Sequence, residues 1–455
     1  MSRIVSRGRG QPASGAWLGC AVLAMAALAC CVIGEPPSAD DGQAAIPSLA
    51  ATDLPSESES AWDATYDKWA LWTNGTQLRG ADVYQRRVYV ELDGSEFMGP
   101  GPVGPPYTEA DFDRLASWGA NYVNISHPGL FSEGPPYELD ERMEANLDRL
   151  LDLIARADMF AVISFRTGPG RSEFGLCCLE EAGDWYDVGY LNDEIWRDEA
   201  AQAAWAAMWR HTAERYRGNS VVVGYDLMVE PNANEVWGDI WDPKTFYQEY
   251  EDSSYDWNRL FPQVTDAIRE VDAETPILVG GMAYSAVDWM PYIRPSDDRR
   301  TVYVFHQYAP YQYTHQWPDD LALRYPDTFD ADWDGEDDRF DRDWLDELLT
   351  AVDRFAGGHD VPVAVNEFGV VRWVPGASRF MEDQMALFEQ RGLNYALWVW
   401  DPEWAPYVEE NNAFNLRLGP DPENDVNVPN DLMGVVQTYW GRNTVRPSTF
   451  GVDEP

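Results

Sequence analysis

From about residue 77 onward, short apolar runs alternate along the chain with longer stretches whose apolar positions recur at helical spacing. Eight runs read as strands: QLRGADV (77–83), ANYVNIS (120–126), FAVISF (160–165), VVVGYDLMV (221–229), PILVGG (276–281), TVYVFH (301–306), VPVAVNE (361–367) and NYALWVW (394–400). Helical patterns fall between them at 141–155, 194–216, 246–271, 343–355 and 379–390, with a last one near 430–440. Strands that alternate with helices in this way predict a parallel sheet covered by helices. Eight such units predict an α/β fold, a single (β/α)8 TIM barrel. No repeat and no second domain is evident, so residues 62–455 are read as one domain.

In such a barrel, chemistry sits at the C-terminal ends of the strands. Those ends supply Asp82, Asn124, His127, Arg166, Glu230, His306, Tyr308, Glu367, Trp398 and Trp400. The stretch YDLMVEPN (225–232) closes an apolar run on one carboxylate, Glu230. The pattern predicts burial there, and burial raises the pKa of a carboxylic acid. Glu367 ends strand seven, across the barrel mouth from Glu230 on strand four.

Composition narrows the partners. The chain has 455 residues, 45% of them hydrophobic, and a net charge of −45. That charge argues against nucleic acid and against electrostatic docking on anionic lipid. The 21 Trp residues are core packing by default. In post-strand loops, as at Trp237 and Trp404, they also suit the C–H faces of sugars. The long loops 166–193 and 307–340 point to an elaborated cleft.

The first residues do not belong to the barrel. Arg3, Arg7 and Arg9 precede the apolar run AWLGCAVLAMAALACC, the layout of an export signal over residues 1–31. Cys30 or Cys31 at its end resembles the acylated cysteine of a bacterial lipoprotein. This leads to an exported protein, either a lipoprotein of the cell envelope or a secreted form, touching membrane only through its anchor. Residues 32–61, rich in Pro, Ser, Ala, Asp and Glu, read as a flexible tether. The neighbours Cys177 and Cys178 are either a vicinal disulfide or free thiols, and their spacing fits no four-ligand zinc site.

A second motif lies at DADWDGEDDRFD (330–341). Asp330, Asp332, Asp334, Glu336 and Asp341, with Gly335 at the sixth position, follow the spacing of a calcium loop. The alternatives are a structural Ca2+ beside the cleft and a solvated acidic loop.

Cleaving a glycosidic bond needs a proton for the departing oxygen and a negative group facing the anomeric carbon, which two carboxyls in different environments supply. Five segments resemble, in order, those of glycoside hydrolase family 5, the cellulase and mannanase family of clan A. They are LRGAD (78–82), VGYDLMVEPN (223–232), VYVFHQYAP (302–310), PVAVNEFGV (362–370) and LNYALWVWDP (393–402). The resemblance implies that Glu230 is the acid/base and Glu367 the nucleophile. It implies that His306 and Tyr308 orient them, Tyr308 donating to Glu367, and that Trp398 is the platform under the sugar being cleaved. His306 as a satisfied strand-end residue and Trp398 as core are the plain structural alternatives.

The sequence departs from the family at two places. Val229 stands where the family has an Asn before the acid/base, and Asn124 where it has an arginine bracing the nucleophile. Arg166, in SFRTGPGRSEF, is therefore expected to hold Glu367 ionised, helped by Asn124. Trp398, Trp400, His127, Trp237 and Trp404 are expected to contact substrate. The resemblance implies a retaining β-glycosidase acting on a β-linked glucan or mannan; a monomer without a catalytic cofactor is expected. Alternatives are a non-catalytic glycan-binding lipoprotein on a degenerate barrel, and a transglycosylase or glycolipid-directed glycosidase.

Overall fold

Each of the eight apolar runs forms a barrel strand: β1 (Arg79–Tyr84), β2 (Tyr122–Pro128), β3 (Phe160–Thr167), β4 (Val222–Asp226), β5 (Ile277–Gly280), β6 (Thr301–Gln307), β7 (Val363–Phe368) and β8 (Asn394–Leu397). All neighbouring pairs are parallel, and β1 closes on β8 with Arg79 opposite Tyr395. The computed structural model of the chain describes residues 66–93, 97–177, 182–183, 186–404 and 409–450. The residues read as an export signal (1–31) and tether (32–61), and Cys178, lie outside the described residues, as does the side chain of Cys177. Among the described residues no helix is long and apolar enough to cross a membrane.

The barrel interior is layered by the two-residue period of its strands. At the N-terminal end, Leu78, Tyr122, Phe160, Val162, Leu278, Val302, Val304, Ala364 and Ala396 pack with Leu71 and Trp72, which plug the bottom. One layer higher the inward positions turn polar. Asn124 Nδ2 donates to Asp82 Oδ1 at 2.7 Å, Ser164 Oγ donates to Asn124 Oδ1 at 2.6 Å, and Asn366 Nδ2 donates to Asp226 Oδ2 at 2.7 Å. The top layer is the mouth.

Helices cover the outside, and several begin on side chains that cap them. Asp140, Asp198, Asp256 and Asn430 accept backbone N–H bonds at the starts of Glu141–Arg156, Glu199–Tyr216, Trp257–Arg269 and Asp431–Trp440. Caps also explain where the pattern misleads. The expected helix 246–271 is two, Pro243–Tyr250 and Trp257–Arg269, because Asp252 takes φ 61° and Asp256 caps a new start. The stretch 194–216 divides at Asp198 in the same way, into a single 3-10 turn and one helix. The stretch 343–355 divides at Leu349. Strand β4 leaves the sheet at Asp226 rather than at residue 229, and β8 at Leu397 rather than at residue 400.

Strands β1 and β2 approach closely at Gly80, where a Cβ would lie 1.7 Å from the carbonyl oxygen of Tyr122. Gly80→Ala is expected to destabilise the barrel by roughly 1–3 kcal/mol or more. A thermal melt reads this as a lower Tm, and an unchanged Tm contradicts the tight register.

Candidate active site

Glu230 is carried past the end of β4 by a segment that stays hydrogen-bonded after leaving the sheet. Leu227 N donates to Leu278 O at 3.1 Å and Val229 N to Phe165 O at 2.9 Å. Trp205 and Trp209 both donate their indole N–H to Leu227 O, at 3.0 and 2.8 Å. Glu230 itself takes φ 54°, the left-handed region, which disfavours a residue with a side chain by about 1–2 kcal/mol. Strain of this kind persists only where the surroundings over-determine it, and it clusters at functional sites.

Glu367 arrives from β7 through a bulge. Val365 pairs with Phe305 and Glu367 with His306, so Asn366 is the extra residue. Consequently Asn366 faces Asp226 in the polar layer while Glu367 reaches the mouth beside His306.

Three side chains then meet. Nearest ligand atoms of Glu230, His306 and Glu367 all lie within 4.8 Å of one another. His306 Nδ1 is 2.8 Å from Glu230 Oε1 and 3.7 Å from Glu367 Oε1. Tyr308 donates its hydroxyl to Glu367 Oε1 at 2.8 Å. The side chain of Glu367 is 9% exposed and that of Glu230 20%. The deeper burial therefore falls on Glu367, whereas the sequence pattern singled out Glu230.

Burial pushes Glu367 up to about 7, opposed by the imidazole of His306, reinforced by Glu230, and opposed again by Tyr308 and, last, Arg166. For His306, burial lowers the pKa, but Glu367, Glu230 and Asp226 together raise it to about 9. The ring is thus an imidazolium at neutral pH, and it stands between two carboxyls. Below them burial raises Asp226 to about 7, and burial followed by the charge of Glu367 holds Asp82 well above the usual carboxylate range.

The remaining expected residues divide. Trp398 is 6% exposed and meets Tyr84 edge-on at 6.0 Å, inside the mouth. Trp237 is exposed and stacks on Tyr255 at 4.8 Å, and Trp404 donates its indole N–H to Phe97 O at 3.0 Å.

Several assignments are corrected. Arg166 is engaged by Glu173, with bonds of 2.9 and 2.6 Å, and donates to Ser126 Oγ at 3.0 Å. Its charge reaches Glu367 only through space, and His306 is the cation that acts on Glu367 most strongly. Asn124 spends both amide hydrogens on Asp82 Oδ1 and Asn366 O and does not brace Glu367. His127 is fully buried in the barrel wall, its ring nitrogens against Pro128 O and Asn146. Trp400 is 2% exposed, donates to Asp111 O and carries Arg417 over its ring at 4.5 Å, so it packs rather than faces a cleft.

The calcium ring is corrected as well. Residues 330–341 form the turn and second strand of an antiparallel hairpin, Asp327–Phe329 with Asp338–Phe340. The carboxylates of Asp330 and Asp332 approach that of Asp338 within 4.8 Å. Asp341 instead caps the helix Arg342–Leu348 and pairs with Arg339. Asp334 accepts from Glu336 N, and Glu336 points to solvent.

Sequence reasoning missed Asp226, Asn366, Glu173 and Arg171. The polar interruptions of β4 and β7 (VVVGYD, VAVNE) signal the first two. Nothing in a loop sequence signals the partners of Glu173 or Arg171.

The fold and site define a class, the parallel eightfold barrels that gather two carboxyls around one imidazole at the C-terminal mouth. The family model Cellulase (glycosyl hydrolase family 5) matches residues 82–403, more than half of the chain, and the chain belongs to that family. It is a glycosidase, hydrolysing O-glycosyl bonds. Among curated relatives, it is 23% identical to Endoglucanase C of Acetivibrio thermocellus over 338 residues, covering 68% of this chain and 89% of that protein. It is 21% identical to Cellodextrinase A of Ruminococcus flavefaciens over 266 residues, 58% of this chain and 68% of that protein. Among solved structures, endoglucanase Cel5A of Thermotoga maritima superposes with a TM-score of 0.56 at 16% identity, over 82% of this chain and all of that one.

A nucleophilic role for Glu367 requires its ionised form, so that role predicts that kcat/KM falls as pH drops through about 7. Tyr308→Phe removes a hydrogen bond that favours the charged form. The acid limb should move to higher pH and kcat/KM fall roughly 10- to 100-fold, the worth of a hydrogen bond to a charged group. A pH–rate series on both proteins checks this, and a limb that does not move contradicts it.

Proposed function

We propose that the protein is a retaining β-glycoside hydrolase acting on a β-linked glucan, cleaving within the chain. The observation that carries the mechanism is the separation of the carboxyls. Their nearest oxygens lie within 4.8 Å. Retaining pairs stand about 5–5.5 Å apart, and inverting pairs, which must admit a water, about 6.5–9.5 Å. Relatives named endoglucanase support the glucan class.

In the first step Glu367 attacks the anomeric carbon, the bond from that carbon to the glycosidic oxygen breaks, and Glu230 gives its proton to the departing oxygen. A glycosyl ester of Glu367 results. In the second step Glu230, now a carboxylate, takes a proton from a water whose oxygen attacks the same carbon and releases Glu367. Two inversions give net retention. Tyr308 and His306 hold the charge of Glu367 in place. Trp398 offers a ring to the sugar above it. Position 229 offers the sugar only a buried valine, so the hydroxyl at C2 must find its partner elsewhere in the cleft. The N-terminal pattern of arginines followed by an apolar run supports export, with the enzyme either anchored through lipid at Cys30 or Cys31 or released.

Two measurements test this reading. Proton NMR of cellohexaose hydrolysis should show the β-anomer of the new reducing end first. The α-anomer first contradicts retention. Glu367→Ala should lower kcat by about 10⁴-fold or more while cellohexaose binding stays measurable. Unimpaired turnover in that variant removes the assignment, and binding without turnover in the wild type favours the glycan-binding alternative.

A further inference from the structure

Arg171 is fully buried, yet no carboxylate among the described residues forms an ion pair with it. Burying an unpaired guanidinium is unfavourable unless its hydrogens are taken up. Here three backbone carbonyls and one side-chain amide oxygen take up the hydrogens of Nη1 and Nη2, while Nε has no partner among the described residues. Nη1 donates to Val229 O at 2.6 Å and to Arg166 O at 3.2 Å. Nη2 donates to Glu230 O at 2.6 Å and to Asn232 Oδ1 at 3.3 Å. Burial lowers its pKa to about 10, which leaves it cationic at neutral pH.

The loop after β3 is shaped to deliver this side chain. Gly168 and Arg171 exchange backbone hydrogen bonds across a tight turn, and Gly170 holds φ 73° inside it. A Cβ at Gly170 would lie 2.6 Å from Ile195 N and from Ala201 Cβ, so only glycine fits. On the other side, Tyr284 N donates to Pro231 O at 3.1 Å and Asn232 Nδ2 to Gly175 O at 2.9 Å. The carbonyls of Val229, Glu230 and Pro231 are therefore all held, two of them by one guanidinium. A planar fork with parallel N–H groups can grip two successive carbonyls at once, which a lysine ammonium cannot do with the same geometry.

We propose that Arg171 is a positioning residue for the reaction: by clamping the carbonyls of Val229 and Glu230 it holds Glu230 in its left-handed conformation, aimed at the departing oxygen. This rests on the acid/base reading of Glu230. Arg171 does not itself touch substrate. The segment it clamps carries Val229, whose side chain forms no polar anchor, so the loop is fixed through its backbone instead.

The experiment compares two substrates that differ in their need for an acid. The 2,4-dinitrophenolate of its β-cellobioside departs without a proton, whereas the phenolate of phenyl β-cellobioside needs one. Arg171→Met should lower kcat/KM on the phenyl glycoside by about 100-fold, as a misplaced acid does, and on the dinitrophenyl glycoside by less than about threefold. Arg171→Lys, which keeps the charge and loses the fork, should lie between the variant and the wild type. The burst of dinitrophenolate counts the folded, competent sites and normalises both rates. If Arg171→Met fails to fold, Arg171→Lys alone decides, with a selective loss of about tenfold on the phenyl glycoside. Equal losses on both substrates, or no loss on the phenyl glycoside, overturn the inference. Glu230→Gln separates the two claims. If it shows no preference for the dinitrophenyl substrate, the acid/base reading itself fails. A wild type that turns over neither glycoside overturns both.

Discussion

Two carboxyls whose oxygens lie within 4.8 Å cannot both be charged without something to offset them. At an effective dielectric of roughly 20, like charges at that distance repel by about 3–4 kcal/mol, more than two pKa units' worth. Burial adds to the penalty on Glu367. The molecule answers with one imidazolium, His306, within reach of both acids, and a tyrosine hydroxyl on Glu367. Two carboxyls this close are disposed to share one proton rather than ionise together, and glycoside cleavage consumes and returns one proton of that kind.

That arrangement depends on the layers beneath it. An apolar plug closes the barrel bottom and a polar layer of Asp82, Asn124, Ser164, Asp226 and Asn366 sits under the mouth. The bulge at Asn366 links the two upper layers, since one residue faces down to Asp226 and the next faces up to His306. On the opposite wall the chain leaves β4 early, and its backbone is caught by two indoles, a guanidinium and a neighbouring loop. Both acids thus stand on irregular backbone made rigid by hydrogen bonds from outside their own strands.

The barrel was legible because its strands are short apolar runs at regular intervals, and the paired acids because they end two of those runs. Errors arose where the two-residue period or the loops decide. Asn124 and Ser126 point inward on β2, so the next residue, His127, faces the wall, and its burial follows from alternation. Trp400 lies beyond the end of β8, where that period no longer applies. Arg166 is expected beside Glu367 because Asn124 stands where the family has its bracing arginine, but Glu173, only seven residues on, is folded back by the glycine turn to take its charge. The acidic loop has calcium-loop spacing, yet strand pairing brings in Asp338 and leaves Asp341 as a helix cap. Spacing alone cannot show pairing of that kind.

The central claim is that Glu367 bonds to the sugar while Glu230 handles the proton. The most direct measurement traps that bond: incubation with 2,4-dinitrophenyl 2-deoxy-2-fluoro-β-cellobioside, proteolysis, and mass spectrometry of the labelled peptide. The expected result is one glycosyl label, on Glu367 in the VNEFG segment. A label on Glu230, or full turnover of ordinary substrate with no trapped ester, contradicts it.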